Sequence, residues 1–350
     1  MFEDQQFKEK FLEEISWYPS GDNAQPFNFT TDSKNKLFIE EDTYRSKHLL
    51  DFEKWGTLLA FGALLEQIKI VSSQYGFNIK VTHNISPIKA TIELFNEGNI
   101  EVDPLYPHLK KRQTDRRVFK KTQLSDELIE QINSQSHIPA KIKVRVLPIF
   151  DKKTVDYIAK ADTIPFIWKD VFFDILRWVR FTPDEASQGD GLPWQNLGLK
   201  YFESLIIRAI RAFPPLFYLM KLINWQIGPY LETKKKLNNA SAVVLFSAKD
   251  LETSSFIEMG KVILRSWIVL CKNGIGVQPH TASTLAYLFI HHSKNSNSIP
   301  TRIKKIYQNG TDVFYNCCKL PKDEFPLFIF RVGPSAPLPT EMLAKRRDPF

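Results

Sequence analysis

Apolar residues recur at helical spacing in two segments of the first third of the chain. Residues 3–17 predict a helix that ends before Pro19. Trp55 to Tyr75 predict a longer, buried helix, because large apolar residues recur three or four positions apart and Gly76 follows as a stop signal. The residues on this spacing are Leu58, Leu59, Phe61, Leu64, Leu65 and Ile68.

Alternating apolar and polar residues predict strands on both sides of this long helix. Before it, the alternation indicates a short hairpin; after it, residues 78–81 and 90–95 indicate two strands. The hairpin prediction depends on Phe27, Phe29, Leu37 and Ile39.

The same patterns begin again after residue 121. Ser125 predicts the N-cap of a helix that reaches about Ser134, and a second long helix, with a capping box of Ser255 and Glu258, is expected to end at Gly274. Other segments predict strands at residues 142–146, 241–246 and 325–332, helices near 154–161 and 168–180, and a loop at 188–193.

Both halves therefore follow the order helix, extended segment, long helix and strand, which predicts an α+β protein made of two diverged copies of one unit. The segment Asp103 to Lys121 is rich in Pro, Lys and Arg and marks the boundary. We expect a first half at residues 1–108 and a second half at residues 109–350.

An apolar stretch from Phe213 to Leu231 lies within a less regular region at about residues 200–239. Polar residues, Gly228 and three prolines interrupt it, whereas a membrane-spanning helix needs about 20 mostly apolar residues. We expect no transmembrane segment, and we interpret the stretch as a lid or a surface-docking segment.

Composition narrows the class of protein. Of 350 residues, 43% are hydrophobic, as in globular proteins, and three cysteines without zinc-ligand spacing indicate a reducing compartment and no metal site. The acidic start, Met-Phe-Glu-Asp, is unlike a secretory signal, so a cytoplasmic location is expected.

The formal charge of +8 favours anionic partners without choosing among nucleic acid, membrane surface and a phosphorylated cofactor.

The first candidate binding element is the turn that follows the first predicted helix. Its Pro and Gly enforce a tight turn that exposes backbone N–H groups and short polar side chains, which can edge a heterocycle having both donors and acceptors. An ordinary Asx-type turn is the structural alternative. The candidate residues are Pro19, Ser20, Gly21, Asn23 and Gln25.

The second candidate element is the basic cluster of residues 110–117. Arg112 and Arg116, with the Thr114 hydroxyl between them, can surround one phosphate through charge-assisted hydrogen bonds. A solvated basic linker and a nucleic-acid patch are the alternatives, although no interleaved aromatic residues are placed for base stacking.

These two segments resemble motifs of the nitroreductase superfamily. The turn is similar to the flavin-contacting motif Pro-Ser-x-x-Asn-x-Gln-Pro-Trp, with Phe27 in the place of Trp, and Arg112-x-Thr114-x-Arg116 resembles the segment that holds the FMN phosphate. Because the first motif lies in the first half and the second opens the second half, the chain resembles the single-chain, two-half Acg-like members. This resemblance implies a nitroreductase-like pseudo-dimer with mixed or antiparallel sheets around long central helices.

Three weaker matches agree with this resemblance, with a plain helix stop at Gly274 and a common Asp-Gly turn as the structural alternatives. Residues 274–280 resemble the Gly-Leu-Gly-x-Gln-Pro segment and contain Gln278 and Pro279, and the terminal Arg346 and Arg347 resemble the closing arginine motif that reaches the phosphate. Asp190 and Gly191 stand where relatives carry a Glu-Gly loop beside the flavin N5.

The resemblance implies one FMN per chain, because a second complete site is missing. The N-terminal helix offers only Lys8 and Lys10 in place of the arginines, and residues 136–139 lie where a second flavin turn would stand. We expect a monomer or a weak homodimer.

The implied function is an FMN-dependent oxidoreductase that takes hydride from NAD(P)H and reduces a small-molecule acceptor. An FMN-sequestering protein is the alternative, and nucleic-acid binding is disfavoured. No catalytic side chain is assigned, although His280, His291 and His292 are conceivable proton donors.

Overall fold

The computed structural model describes residues 1–134, 138–147 and 151–349. Its helices are α1 Gln5–Ile15, α2 Trp55–Gln74, α3 Asp126–Asn133, α4 Lys152–Ala161, α5 Ile164–Ile167, α6 Lys169–Leu176, α7 Pro183–Ser187, α8 Tyr201–Ala212, α9 Leu216–Leu222, α10 Ile227–Asn238, α11 Thr253–Lys272, α12 Ala282–His292 and α13 Thr301–Lys304. Its strands are β1 Phe27–Thr31, β2 Lys36–Glu41, β3 Asn78–Ile85, β4 Ile88–Phe95, β5 Ile142–Leu147, β6 Val179–Arg180, β7 Leu192–Pro193, β8 Ala242–Ala248, β9 Ile275–Pro279 and β10 Phe325–Pro334.

Two four-stranded sheets have the same connectivity. The first has the strand order β1-β2-β4-β3, and the second has β5-β8-β10-β9, with antiparallel pairing throughout both. In each, a helix of 20 residues connects the second strand of the unit to the third: α2 in the first sheet and α11 in the second. The predicted α+β class with long central helices is confirmed.

The two long helices pack directly against each other through glycines. A Cβ atom on Gly62 would collide with the carbonyl oxygen of Ile257, and a Cβ atom on Gly260 would collide with the carbonyl oxygen of Leu59. The backbones therefore approach more closely than any larger residue permits. At the same interface the rings of Trp55 and Phe256 stack at a centroid distance of 5.1 Å.

An ion cluster of one arginine and two carboxylates lies farther along the same helix interface. The Arg265 guanidinium on α11 contacts the Glu66 carboxylate on α2 at 2.7 Å and that of Asp103 at 2.8 Å. Because both acids come from the first half of the chain and the arginine from the second, this cluster ties the two sheets' units together.

Several local predictions agree with the structure, and two are wrong. Ser125 caps α3 as predicted, its side chain accepting a hydrogen bond from the Leu128 N–H. Ser255 does not cap α11, which begins at Thr253; its hydroxyl donates to Asp250 instead. The helix predicted to reach residue 180 ends at Leu176, and its last residues form β6. The second-turn comparison at residues 136–139 lies partly outside the described residues.

The region of residues 200–239 forms α8, α9 and α10. Of these, α8 and α9 enclose a small apolar core with α6 and its neighbours. Phe172 and Phe217 lie in this core, and the Trp225 indole N–H donates to the Phe166 carbonyl at 2.9 Å. None of the helices in the described ranges has both the length and the hydropathy of a membrane span. Within those ranges no cluster of His, Cys, Asp and Glu is arranged to hold a metal ion.

Candidate functional site

The turn after α1 has an unusual backbone. Asp22, Asn23 and Gln25 have φ angles of 48°, 54° and 52°, in the left-handed region that side chains other than glycine seldom occupy. The Ser20 hydroxyl supports this conformation by accepting a hydrogen bond from the Gln25 N–H at 3.0 Å. Three strained residues within four positions indicate a functional constraint on this turn.

Asn23 joins the turn to two distant segments. Its side-chain amide donates to the carbonyls of Gly191 and Lys345, each at 2.9 Å, and its own carbonyl accepts from the Gly191 N–H at 3.1 Å. Its side-chain oxygen accepts from the Arg346 guanidinium. The expectation that the polar end of Asn23 is exposed is therefore wrong, because the loop and the C-terminal residues cover it.

Gln25 makes a parallel connection. Its side-chain amide donates to the Gly189 carbonyl at 2.9 Å, and its side-chain oxygen accepts from the Arg347 N–H at 3.1 Å. Arg347 in turn donates to the Phe27 carbonyl at 2.6 Å. The structure thus brings together three of the segments predicted to bind the cofactor: the turn, residues 189–191 and the terminal arginines.

The carboxylate of Asp190 holds the loop in place between two cations. It accepts from Arg45 at 2.8 Å and from Arg180 at 2.5 Å. Burial raises the pKa of Asp190, but the hydrogen bonds from Arg180 and Arg45 outweigh burial, so the pKa is lowered below its usual value. Arg45 also donates to the Ala24 carbonyl at 3.0 Å, which links the loop to the turn a second time.

Arg112 and Arg346 converge on one atom, the carbonyl oxygen of Trp17, immediately before the turn. Arg112 donates to it at 3.1 Å, and Arg346 at 3.4 Å. Each guanidinium also lies over an indole ring, Arg112 over Trp267 at 4.7 Å and Arg346 over Trp17 at 5.3 Å. Within the described ranges, neither arginine has a carboxylate partner within 4.0 Å.

This arrangement leaves positive charge and hydrogen-bond donors unmatched. Burial and the nearby charge of Arg112 together lower the pKa of Arg346 to about 9, and burial lowers the pKa of Arg112 to about 10. The buried Nε atoms of both arginines and the Nε1 of Trp17 find no acceptor among the residues described. Because buried donors are normally satisfied, three orphaned N–H groups on residues that contact one another fit an anion with several acceptor oxygens.

The other members of the predicted basic motif have different partners. Arg116 donates to the side chain of Asn196, whose amide donates to the Met342 carbonyl at 2.7 Å. Burial lowers the pKa of Arg116, and the nearby carboxylate of Asp22 offsets part of this effect. Thr114 pairs with Val277 through a backbone bridge. Arg112 and Arg116 thus flank the turn separately, at its Trp17 end and its Asp22 side.

Gln278 and Pro279 lie on β9, where neither hydrogen-bonds to the turn within the described ranges. The side-chain oxygen of Gln278 accepts from the fully buried Arg331 at 2.7 Å, and Pro279 pairs with Phe330 on β10. Sequence reasoning missed Arg331, together with Arg45 and Arg180, because each is a single arginine outside any local motif.

His280 forms a buried contact beside this strand. Its Nδ1 lies 3.0 Å from the Asp162 carboxylate, and its Nε2 has no hydrogen-bond partner among the described atoms. His291 contacts the Tyr307 carbonyl at 3.5 Å, and the ring of His292 packs against Phe325. None of these contacts joins a histidine to the turn, so their suggested role as proton donors stays a prediction.

Comparisons with known proteins give structural neighbours but no sequence match. No family model matches the chain, and no curated protein matches it. The structure is similar to the FMN- and NADPH-dependent nitroreductase NfnB from Sphigopyxis sp. strain HMH, at 10% identity and a TM-score of 0.36, covering 67% of this chain and 89% of that one.

Two further structural neighbours are also described as nitroreductases with FMN. They are a nitroreductase with bound FMN from Bacteroides fragilis NCTC 9343 (7% identity, TM-score 0.33, covering 67% of this chain and 90% of that one) and an FMN-dependent nitroreductase from Clostridium difficile R20291 (13% identity, TM-score 0.30, covering 66% and 87%). TM-scores of this size describe a partial superposition of the chains.

Proposed function

We propose that this chain binds one FMN beside the turn of residues 19–25 and acts as a cytoplasmic, monomeric oxidoreductase of the nitroreductase type. The observation that carries the proposal is the pair Arg112 and Arg346, which meet at the Trp17 carbonyl without a carboxylate partner in the described part of the chain. A phosphate monoester supplies the charge and the acceptor oxygens that these two guanidinium groups need.

The remaining residues fit the rest of such a cofactor. The left-handed turn carries both donors and acceptors at Ser20, Asn23 and Gln25. The side chains of Asn23 and Gln25 pair with the loop and the C-terminal residues in this structure, and they would exchange these partners for the ring. A flavin ring has both kinds of polar atom along one side. Beside the turn lies a small recess lined by Arg347, Pro349, Gln25 and the aromatic rings of Tyr18, Phe27 and Phe29.

When bound, FMN would supply the redox chemistry by accepting hydride at N5 and returning electrons to an acceptor. The chain's own contribution is to bind and orient: Arg112 and Arg346 would neutralise the phosphate, while Asn23 and Gln25 would fix the ring edge. Asp190, held by Arg45 and Arg180, keeps the loop against the turn. Thr114, Arg116, Gln278 and Pro279 remain proposed contacts on the motif resemblance.

A second candidate function, FMN sequestration without turnover, is favoured by how tightly the site is closed. Only 5% of Asn23 and 2% of Gln25 is exposed, because Lys345 to Arg347 and the loop cover them. A site closed in this way can retain a cofactor while excluding a nicotinamide. NAD(P)H as donor and a small molecule as acceptor therefore belong to the first proposal alone.

Spectroscopy of the purified chain separates the possibilities. Flavin absorption bands after reconstitution with FMN support cofactor binding, and their absence at saturating FMN overturns it. Anaerobic addition of NADH or NADPH then distinguishes the two functions. Bands that bleach and recover with an added quinone or nitroarene support the oxidoreductase, whereas bands that persist support sequestration.

A further inference from the structure

The outward side of α9 is apolar although nothing in the described part of the chain covers it. Leu222 is 79% exposed and Ile223 66%, and Tyr218 and Leu219 are also exposed. The opposite side of the same helix, at Phe217, is buried in the small core of this region. The helix thus presents large apolar side chains to both the protein and the solvent.

Neighbouring segments extend this exposed surface. Phe213 precedes α9, and Ile227 and Leu231 follow it on one side of α10, all three exposed. We call the seven residues 213, 218, 219, 222, 223, 227 and 231 the apolar face. Soluble monomers seldom expose contiguous apolar patches larger than a few hundred Å², and larger ones usually mark interaction sites.

The segment that carries the apolar face has an excess of basic residues. Residues 200–238 contain seven Lys and Arg but two Glu, so this region supplies most of the chain's formal charge of +8. Arg208 and Lys235 are exposed, Lys221 is half-buried on α9, and the Lys169 ammonium lies 5.1 Å from the centre of the Tyr218 ring. We call these four residues the basic rim. Long basic side chains at the edge of an apolar surface can reach toward anionic groups while their stems stay in apolar surroundings.

We propose that α8, α9 and α10 dock this protein on an anionic phospholipid surface, with the apolar face entering the interface and the basic rim contacting lipid phosphates. Helices of this kind lie in the plane of the interface and do not cross it. This agrees with the prolines at 214, 215 and 229 and with the absence of a membrane-spanning helix in the described ranges.

The charge pattern favours lipid over a second copy of the chain. In a symmetric dimer built on the apolar face, the same surface meets itself, so the two basic rims would oppose each other. An anionic lipid surface instead attracts each Lys or Arg near it. Tyr218 also suits the boundary between lipid and water, because its ring is apolar and its hydroxyl is polar.

Vesicle sedimentation of the full chain tests the proposal. We expect the protein to sediment with vesicles of phosphatidylcholine mixed with phosphatidylglycerol, more weakly with phosphatidylcholine alone, and less in high salt. The double variant Leu222→Ser/Ile223→Ser and the double variant Arg208→Gln/Lys221→Gln should each weaken binding about tenfold or more. All four residues lie outside the proposed flavin site.

Matched controls keep the outcome interpretable. Lys322→Gln changes one exposed lysine, and Tyr44→Ser one apolar residue with 66% exposure, both away from the apolar face; both should bind like the parent. Absence of binding to the mixed vesicles, or equal binding by the serine variant, would overturn the proposal. It is also overturned if the parent is a dimer that the serine variant dissociates, without any vesicle binding.

Discussion

Gly62 on α2 and Gly260 on α11 occupy the crossing point of the two central helices, each facing the backbone of the other helix. The contact is reciprocal: Gly62 approaches Ile257, three residues before Gly260, and Gly260 approaches Leu59, three residues before Gly62. Because the obstacle is backbone in both cases, no side chain can rotate away to make room for a methyl group.

We therefore predict that Gly62→Ala and Gly260→Ala each lower the free energy of unfolding by about 3 kcal/mol, the upper end of the usual cost of overpacking. Urea denaturation followed by circular dichroism measures this change. Gly228→Ala is the matched control, because a Cβ atom there meets nothing within 4 Å. Equal stability of all three variants would show that the helices do not cross this closely.

The arginine pair gives a prediction about cofactor affinity. Arg112→Gln and Arg346→Gln should each weaken FMN binding by about 1.5–3 kcal/mol, the range for a hydrogen bond to a charged group. The free energy of unfolding without FMN should change little, because each substitution also relieves the repulsion that lowers the pKa of Arg346. Fluorescence titration with FMN measures the affinity.

Lys111→Gln is the control for this pair, since Lys111 is the exposed neighbour of Arg112. The Lys111→Gln variant should bind FMN with the same affinity as the parent. Retention of full FMN affinity in both arginine variants would remove the basis for the phosphate site, and a parallel loss of nucleic-acid binding would favour the alternative that the sequence left open.

The number of sites is a separate prediction. The turn at residues 19–25 and the arginines 112 and 346 build one site, and we expect titration of the chain with FMN to saturate at one equivalent. Absorbance of the bound flavin against protein concentration gives the ratio. Saturation at two equivalents would mean that the second unit carries a site built from other residues.

Asp190 provides a prediction about pH. Its pKa in the folded protein lies below the unfolded value of about 3.9, so its ion pairs stabilise the fold above that pH and are lost as the pH falls through the lower folded pKa. Asp190→Asn should therefore be less stable than the parent at pH 7 and equally stable in acid below the folded pKa.

Thermal unfolding across this pH range tests the Asp190 prediction. Asp323→Asn serves as the control, because the Asp323 side chain is 71% exposed and its nearest cation, Lys249, lies 4.0 Å away. A stability difference for Asp190→Asn that does not change with pH would assign the effect to shape and not to charge.

The sequence was sufficient for those features that local pattern determines. The long helix at residues 55–74 has a continuous apolar spacing, and the turn at Pro19 carries its own Pro and Gly signals, so both could be predicted. The cap at Ser255 could not, because the choice between two local partners depends on where Asp250 lies in the folded chain.

The sequence also could not predict contacts between single residues that lie far apart in the chain. Arg45 and Arg180 clamp Asp190, and Arg331 binds Gln278, yet no spacing in the sequence relates these residues. Only the tertiary packing of the two sheets and their helices brings them together. The shared phosphate predicted for Arg112 and Arg116 also stays untested, since the two guanidiniums have separate partners in this structure.

The contact between Asn23 and Arg346 spans 323 positions of the chain. Closing so long a loop costs conformational entropy, and other contacts must offset that cost. The contact therefore forms only after the intervening chain has been synthesised and folded. During synthesis on a ribosome, Asn23 emerges 323 residues before Arg346. We therefore expect flavin capture to follow the emergence of Arg346, so that nascent protein remains without cofactor until both sheets have formed.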